Sequence, residues 1–98
     1  MDKINNDQEN LDLLIKINKG ASSQRELSDE LGFSLGKLNY CLKALKYKGL
    51  IKIKNFRNNK NKINYIYMLT PKGVSHKTKL AVKFMQRKMK EYDELKNE

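Results

Sequence analysis

Two amphipathic segments separated by only three residues, Gly32-Phe33-Ser34, set the tightest constraint on how this chain can fold. The first opens at Ser23-Gln24-Arg25-Glu26. This is an S-x-x-E capping box, in which a serine and a glutamate three residues later satisfy orphan amides at a helix start. The segment offers Leu27 and Leu31 for burial before Gly32 stops it. The second runs from Ser34 to Leu50 and places Leu35, Leu38, Leu42 and Leu45 at three- and four-residue steps, one stripe of a helix. Ser34 is its predicted N-cap, and Gly49 stands where a left-handed residue ends such a helix. A three-residue link gives the tight turn of a helix-turn-helix.

The face opposite the leucines carries Gly36, Lys37, Asn39, Tyr40, Lys43 and Lys46, donors with no acid among them. Lys46 and Lys48 lie in the last turn, where the helix dipole favours a cation, so a structural role explains them. Lys37 lies in the first turn, where the dipole disfavours a cation by up to about 1 kcal/mol. Gly36 beside it costs roughly another 1 kcal/mol relative to alanine. Two locally poor choices at one helix start predict that something anionic approaches there.

The charge distribution points the same way. Of the 98 residues, 21 are Lys or Arg and 11 are Asp or Glu, a formal charge of +10. A bias toward Lys, Asn and Ile would account for the lysines, but it would enrich Glu as well. From Ser34 to Lys90 there is no carboxylate at all. The middle of the chain is therefore an electropositive surface for a polyanion.

The same composition excludes several classes. One cysteine, Cys41, and one histidine, His76, leave no internal disulfide and no plausible zinc constellation. No metal or cofactor is expected. No apolar run approaches a membrane span, and the first residues are polar and acidic, which predicts a cytoplasmic chain. An enzyme is disfavoured, because the basic middle has no acid for proton transfer, no glycine-rich phosphate loop and no nucleophile paired with histidine.

Around the central pair, a first helix is predicted from Asp7 to about Lys19, capped by Asn6, burying Leu11, Leu14 and Ile15 and stopped by Gly20. After Gly49 the period shortens to two. Leu50-Ile51-Lys52-Ile53-Lys54 and Asn64-Tyr65-Ile66-Tyr67-Met68-Leu69 read as strands of a hairpin with a polar, basic tip, although the pattern leaves open which pleat face is buried. Thr70-Pro71 then opens a last helix, threonine as cap and proline at the first helical position. Ala81, Met85, Met89, Tyr92 and Leu95 form a stripe along it, widened by Leu80 and Phe84. So long a helix cannot bury its distal half against so small a domain, which predicts a second copy as partner. Acids from Glu91 onward oppose the dipole at its end, which suggests antiparallel pairing of the two copies. A basic amphipathic helix lying on a membrane is the weaker reading, since Thr70-Pro71 ties the helix directly to the hairpin.

The fold class expected is thus mainly α with a small β-hairpin: a winged helix-turn-helix over residues 1–70 and a C-terminal dimerisation helix over 71–98. At this point the chain resembles a known family. Leu38-x-x-Cys41-Leu42-x-x-Leu45-x-x-x-Gly49-Leu50-Ile51, followed by Leu69-Thr70-Pro71-Lys72-Gly73, is similar to the MarR-type transcription regulators. More narrowly, LGKLNYCLKALKYKGLIKIKNFRNNKNK and YIYMLTPKG resemble the small MarR-like regulators associated with bacterial exopolysaccharide gene clusters. The chain departs from longer members in lacking an extended N-terminal dimerisation helix, so the resemblance alone does not imply their ligand pocket between domains, and an effector is left open.

On this reading the chain is a homodimeric regulator of double-stranded DNA, its recognition helix (34–48) in the major groove and its wing (54–63) on the backbone or minor groove. Asn39 would pair with adenine, Lys37 would donate to guanine, and Tyr40 would reach a thymine methyl or a phosphate. Ser34 and Gly36 open the same helix start, and Lys43 lies further along, at phosphate. Ser22, Gln24 and Arg25 would lie against the backbone, at a helix N-terminus that attracts phosphate. Lys54, Arg57, Asn58, Lys60 and Lys62 make up the wing, with Arg57 the candidate for the minor groove. The alternatives are a winged-helix module for RNA or a protein, or a non-specific architectural DNA binder. Cys41 reads as a small buried hydrophobe before a redox sensor, and His76 as surface.

Overall fold

The computed structural model describes residues 3–20, 23–59 and 62–97. Its elements run α1 (Lys3–Asn18), α2 (Gln24–Leu31), α3 (Leu35–Tyr47), β1 (Ile51–Asn59), β2 (Lys62–Leu69) and α4 (Pro71–Lys96). The expected fold, helical with one antiparallel hairpin and a long terminal helix, is the fold observed.

The caps form where side-chain chemistry requires them. Ser23 accepts from the Glu26 amide, Ser34 from the Lys37 amide and Thr70 from the Gly73 amide, each at the first turn of its helix. Gly32 and Gly49 close α2 and α3 with φ of 71° and 76°, a conformation that side chains with a Cβ resist. The Ser28 hydroxyl donates to the Phe33 carbonyl, bracing the turn between α2 and α3.

α1 differs from expectation in two respects. It begins at Lys3 rather than Asp7, with Asn6 inside the helix, because nothing between them forbids helical backbone and an asparagine's capping preference is a weak prior. Its buried residues are Leu11, Leu13, Leu14 and Ile17, with Ile15 only half-buried. The cause is position: α1 touches α2, β2 and α4, so its apolar arc is wider than the stripe of a helix with one neighbour.

Leu27 of α2 and Leu38, Leu42 and Leu45 of α3 extend the core, while Leu31 is half-buried. Leu35 was expected with them and is instead 52% exposed. Its spacing puts it on the stripe, but in the first turn of α3 the described residues leave about half of it uncovered.

The hairpin register settles which pleat face is buried. Ile51 pairs with Leu69 and Ile53 with Tyr67, and these four face the core, whereas Lys52 and Met68 pair on the solvent side. A register shift between Arg57 and Asn59 disturbs the ladder near its tip.

The first half of α4 belongs to the same core. Leu80 is buried, Ala81 and Phe84 pack against the cluster, and Lys83 reaches Asp7 of α1 at 3.2 Å. Where α4 begins, three contacts clasp the end of α3. The Thr70 amide donates to the Leu50 carbonyl at 3.0 Å, the Thr70 hydroxyl to the Gly49 carbonyl at 2.6 Å, and the Lys72 ammonium to the Lys48 carbonyl at 3.0 Å. Gly73 completes the clasp, since a Cβ there would stand 1.9 Å from the Leu50 carbonyl oxygen. The Thr-Pro-Lys-Gly sequence thus acts as one structural unit.

Candidate nucleic-acid interface

α3 presents the expected face. Ser34, Gly36, Lys37, Asn39, Tyr40, Lys43 and Lys46 are all exposed. Gly36, Tyr40 and Lys43 lie on one side at helical spacing, and Tyr47, 93% exposed, continues that line one turn further. Tyr47 was missed in the sequence reading, although its four-residue step from Lys43 was there to be seen. A Cβ on Gly36 would meet nothing within 4 Å, so internal packing does not demand glycine at this helix start.

Lys37 departs from the simple picture. Its ammonium pairs with the Glu9 carboxylate of α1 and stands 4.6 Å from the centroid of the Phe33 ring. The partner that the Lys37 ammonium finds is thus a carboxylate of the same chain, held at its side chain rather than at the backbone of the helix start. It came from a residue 28 positions away, which no local pattern could reveal.

Cys41, one turn after Lys37, is half-buried beside the same pair. Burial pushes its thiol above the ordinary value, the Glu9 carboxylate pushes it further, and the Lys37 ammonium partly offsets both.

Of the residues expected against the backbone, Arg25 is exposed at the start of α2. Gln24 donates from its amide nitrogen to the Tyr67 hydroxyl at 3.1 Å, a half-buried contact tying α2 to β2. Ser22 lies outside the described residues. In the wing, Lys54 is exposed opposite Ile66. Arg57, Asn58 and Lys62 are placed on the two strands by their backbone, their side chains lying outside the described residues, as does Lys60 altogether.

The distal part of α4 has no neighbour among the described residues. Val82, Met85, Met89, Tyr92 and Leu95 are between 46% and 70% exposed, while Ala81 is half-buried against the core. Val82 joins the expected stripe as an exposed member not singled out in the sequence.

Among the described residues no helix is long and apolar enough to cross a membrane, and no three His, Cys, Asp or Glu side chains are grouped to hold a metal ion. What this arrangement offers is a convex, acid-poor helical face beside a hairpin, suited to a grooved polyanion.

These features define a class. A family model described as winged helix-turn-helix DNA-binding matches residues 11–52, from Leu11 of α1 to the second residue of β1. The chain therefore carries a winged helix-turn-helix, and its fold is that of solved MarR-family proteins. Staphylococcus aureus MarR, solved with salicylate and kanamycin, aligns with 87% of this chain and 56% of its own at a TM-score of 0.69 and 21% identity. Lactococcus lactis ZitR, a zinc-responsive MarR family member, aligns with 89% of this chain and 58% of its own, at a TM-score of 0.64 and 21% identity. A point mutant of S. aureus MepR gives a TM-score of 0.71 at 17% identity, over 94% of this chain and 74% of its own. At such identities the likeness is one of fold. The chain spans little more than half the length of the first two. No curated protein is significantly similar to it in sequence.

Proposed function

We propose that the protein is a sequence-specific, double-stranded DNA-binding transcription regulator of MarR type, working in the cytoplasm as a homodimer. The observation that carries this is the outward face of α3, exposed along its length and free of acids, following the short turn from α2. Inserted N-terminal half first into the major groove, it offers Asn39 to adenine and Tyr40 to a thymine methyl or phosphate, with Lys43 at phosphate. The exposed start of α2, with Arg25, lies against the backbone, and Lys54 brings the wing alongside.

Residues 71–98 supply the dimer contact through Met85, Met89, Tyr92 and Leu95, with the acidic end of one α4 beside the basic stretch of the other. The two recognition helices then read half-sites about one helical turn apart. Association with exopolysaccharide gene clusters is the narrowest part of this reading and rests on resemblance.

The test is selection from a random duplex library by the purified protein, together with its mass in solution. An enriched inverted repeat bound by a dimer is the expected result. Salt-sensitive binding without an enriched sequence would make it an architectural binder. Near-flat salt dependence would point to RNA or a protein as partner, because a surface that grips phosphates must release counterions.

A further inference from the structure

We infer that Glu9 is a specificity-determining positioning residue, which withholds Lys37 from the phosphates of random DNA. The inference rests on the reading of α3 as the DNA-binding face. Among the described residues, Lys37 is the one member of that face whose charged group turns back onto the protein, to the Glu9 carboxylate and the Phe33 ring. Both partners come from outside α3, Glu9 from α1 and Phe33 from the turn before Ser34. The lysine itself stands where the α3 dipole disfavours a cation, so a neighbouring carboxylate offsets a local cost.

The strength of this hold suits a selective release. The Lys37 and Glu9 side chains are 46% and 24% exposed, so solvent screens the pair. A contact of that kind shifts an equilibrium by about twofold to fivefold. A phosphate brushing past on random duplex gains too little from Lys37 to displace Glu9. A base edge aligned with α3 in a matched groove offers a directed acceptor, and Lys37 is then released to it. Glu9 thereby lowers affinity for the wrong DNA more than for the right one.

The experiment is a salt titration of binding to a random duplex, with wild-type protein, Glu9→Gln, Lys37→Met and the double variant. Glu9→Gln is expected to bind about twofold to fivefold more tightly. Its plot of log affinity against log salt should steepen by about 0.9, one added phosphate contact. Its preference for a selected sequence should narrow by the same factor as its random binding rises. In the Lys37→Met background the same change should leave the slope unaltered. Equal steepening with and without Lys37 would overturn the inference, since the lost charge would then act through the general field alone. A salt-sensitive wild type with an unresponsive Glu9→Gln would also overturn it while leaving the DNA-binding reading intact, whereas a salt-insensitive wild type would remove both. Should thermal melting show Glu9→Gln to be unfolded, Glu9→Asp, which keeps the charge but draws it back from Lys37, must show the same direction at smaller size.

Discussion

Two helical faces of this molecule point away from its core, and they differ in every respect that decides what can cover them. The outward face of α3 is made of lysine, asparagine, tyrosine and glycine. That of distal α4 is made of valine, methionine, tyrosine and leucine. The first is already hydrated and loses little by staying in water. The second leaves large apolar side chains exposed in a row, each worth about 1.5–3 kcal/mol if fully buried. Exposure alone therefore says little about function, whereas the chemistry of what is exposed separates a face that water satisfies from one that gains by being covered.

That contrast can be broken most severely on α4. Met85→Glu with Met89→Glu is expected to yield a monomer by light scattering. Losing the linked second half-site should weaken binding to an inverted repeat by about a hundredfold or more, while circular dichroism stays unchanged, because neither methionine packs in the core. A double variant that remained dimeric would show that the apolar stripe is not the contact.

Gly73→Ala attacks the joint between the two regions. Its methyl group would collide with the Leu50 carbonyl, and crowding of this kind costs about 1–3 kcal/mol. Thermal melting should fall by several degrees per kcal/mol, as for any domain of about this size. An unchanged melting temperature would mean that the clasp yields without cost.

Asn39→Ala sharpens the α3 side. Discrimination against a wrong base should fall by about 1–3 kcal/mol, read as a loss of preference in competition binding, with random-duplex affinity retained. Equal loss on both DNAs would remove Asn39 from base readout.

The smallest effect is expected at Cys41, which sits behind α3 rather than on its face. Its thiol is held above the ordinary value of 9.0 by burial first and Glu9 second. The native state thus keeps this proton more tightly than the unfolded chain. The resulting stability is complete below the unfolded thiol's pKa and fades as pH rises through the folded one. Melting followed into the alkaline range should show a slightly steeper loss for wild type than for Cys41→Ala. For the same reason iodoacetamide should label the native thiol slowly at neutral pH.

What the sequence revealed and what it hid divide along a physical line. Caps at Ser23, Ser34 and Thr70, the stops at Gly32 and Gly49, and the change of period into the hairpin were legible, because each depends on residues within one turn of one another. The exposed face of α3 was legible for the same reason. Leu35 was misplaced and Leu13 and Ile17 were overlooked because periodicity gives the direction of a side chain, not whether a neighbour waits there. The Glu9 partner of Lys37 and the Tyr67 partner of Gln24 were invisible for a stronger reason. Both join residues far apart in the chain that stand on two different elements, brought together only by the packing of the fold. The anomaly at Lys37 was nevertheless audible locally, as a cation where the helix dipole wants an anion.

The clasp of Thr70, Lys72 and Gly73 on Lys48 to Leu50 turns residue number into geometry. Because α4 departs from a fixed point at the end of α3, the azimuth of every later side chain on it is counted from there. One residue inserted after Phe84 would leave the core half untouched, yet rotate Met85, Met89 and Tyr92 by about 100° and advance them by about 1.5 Å. In a pair joined through α4, the pitch at which two grooves are met would then be written as a count of residues along α4, out of reach of any change on the recognition helix itself.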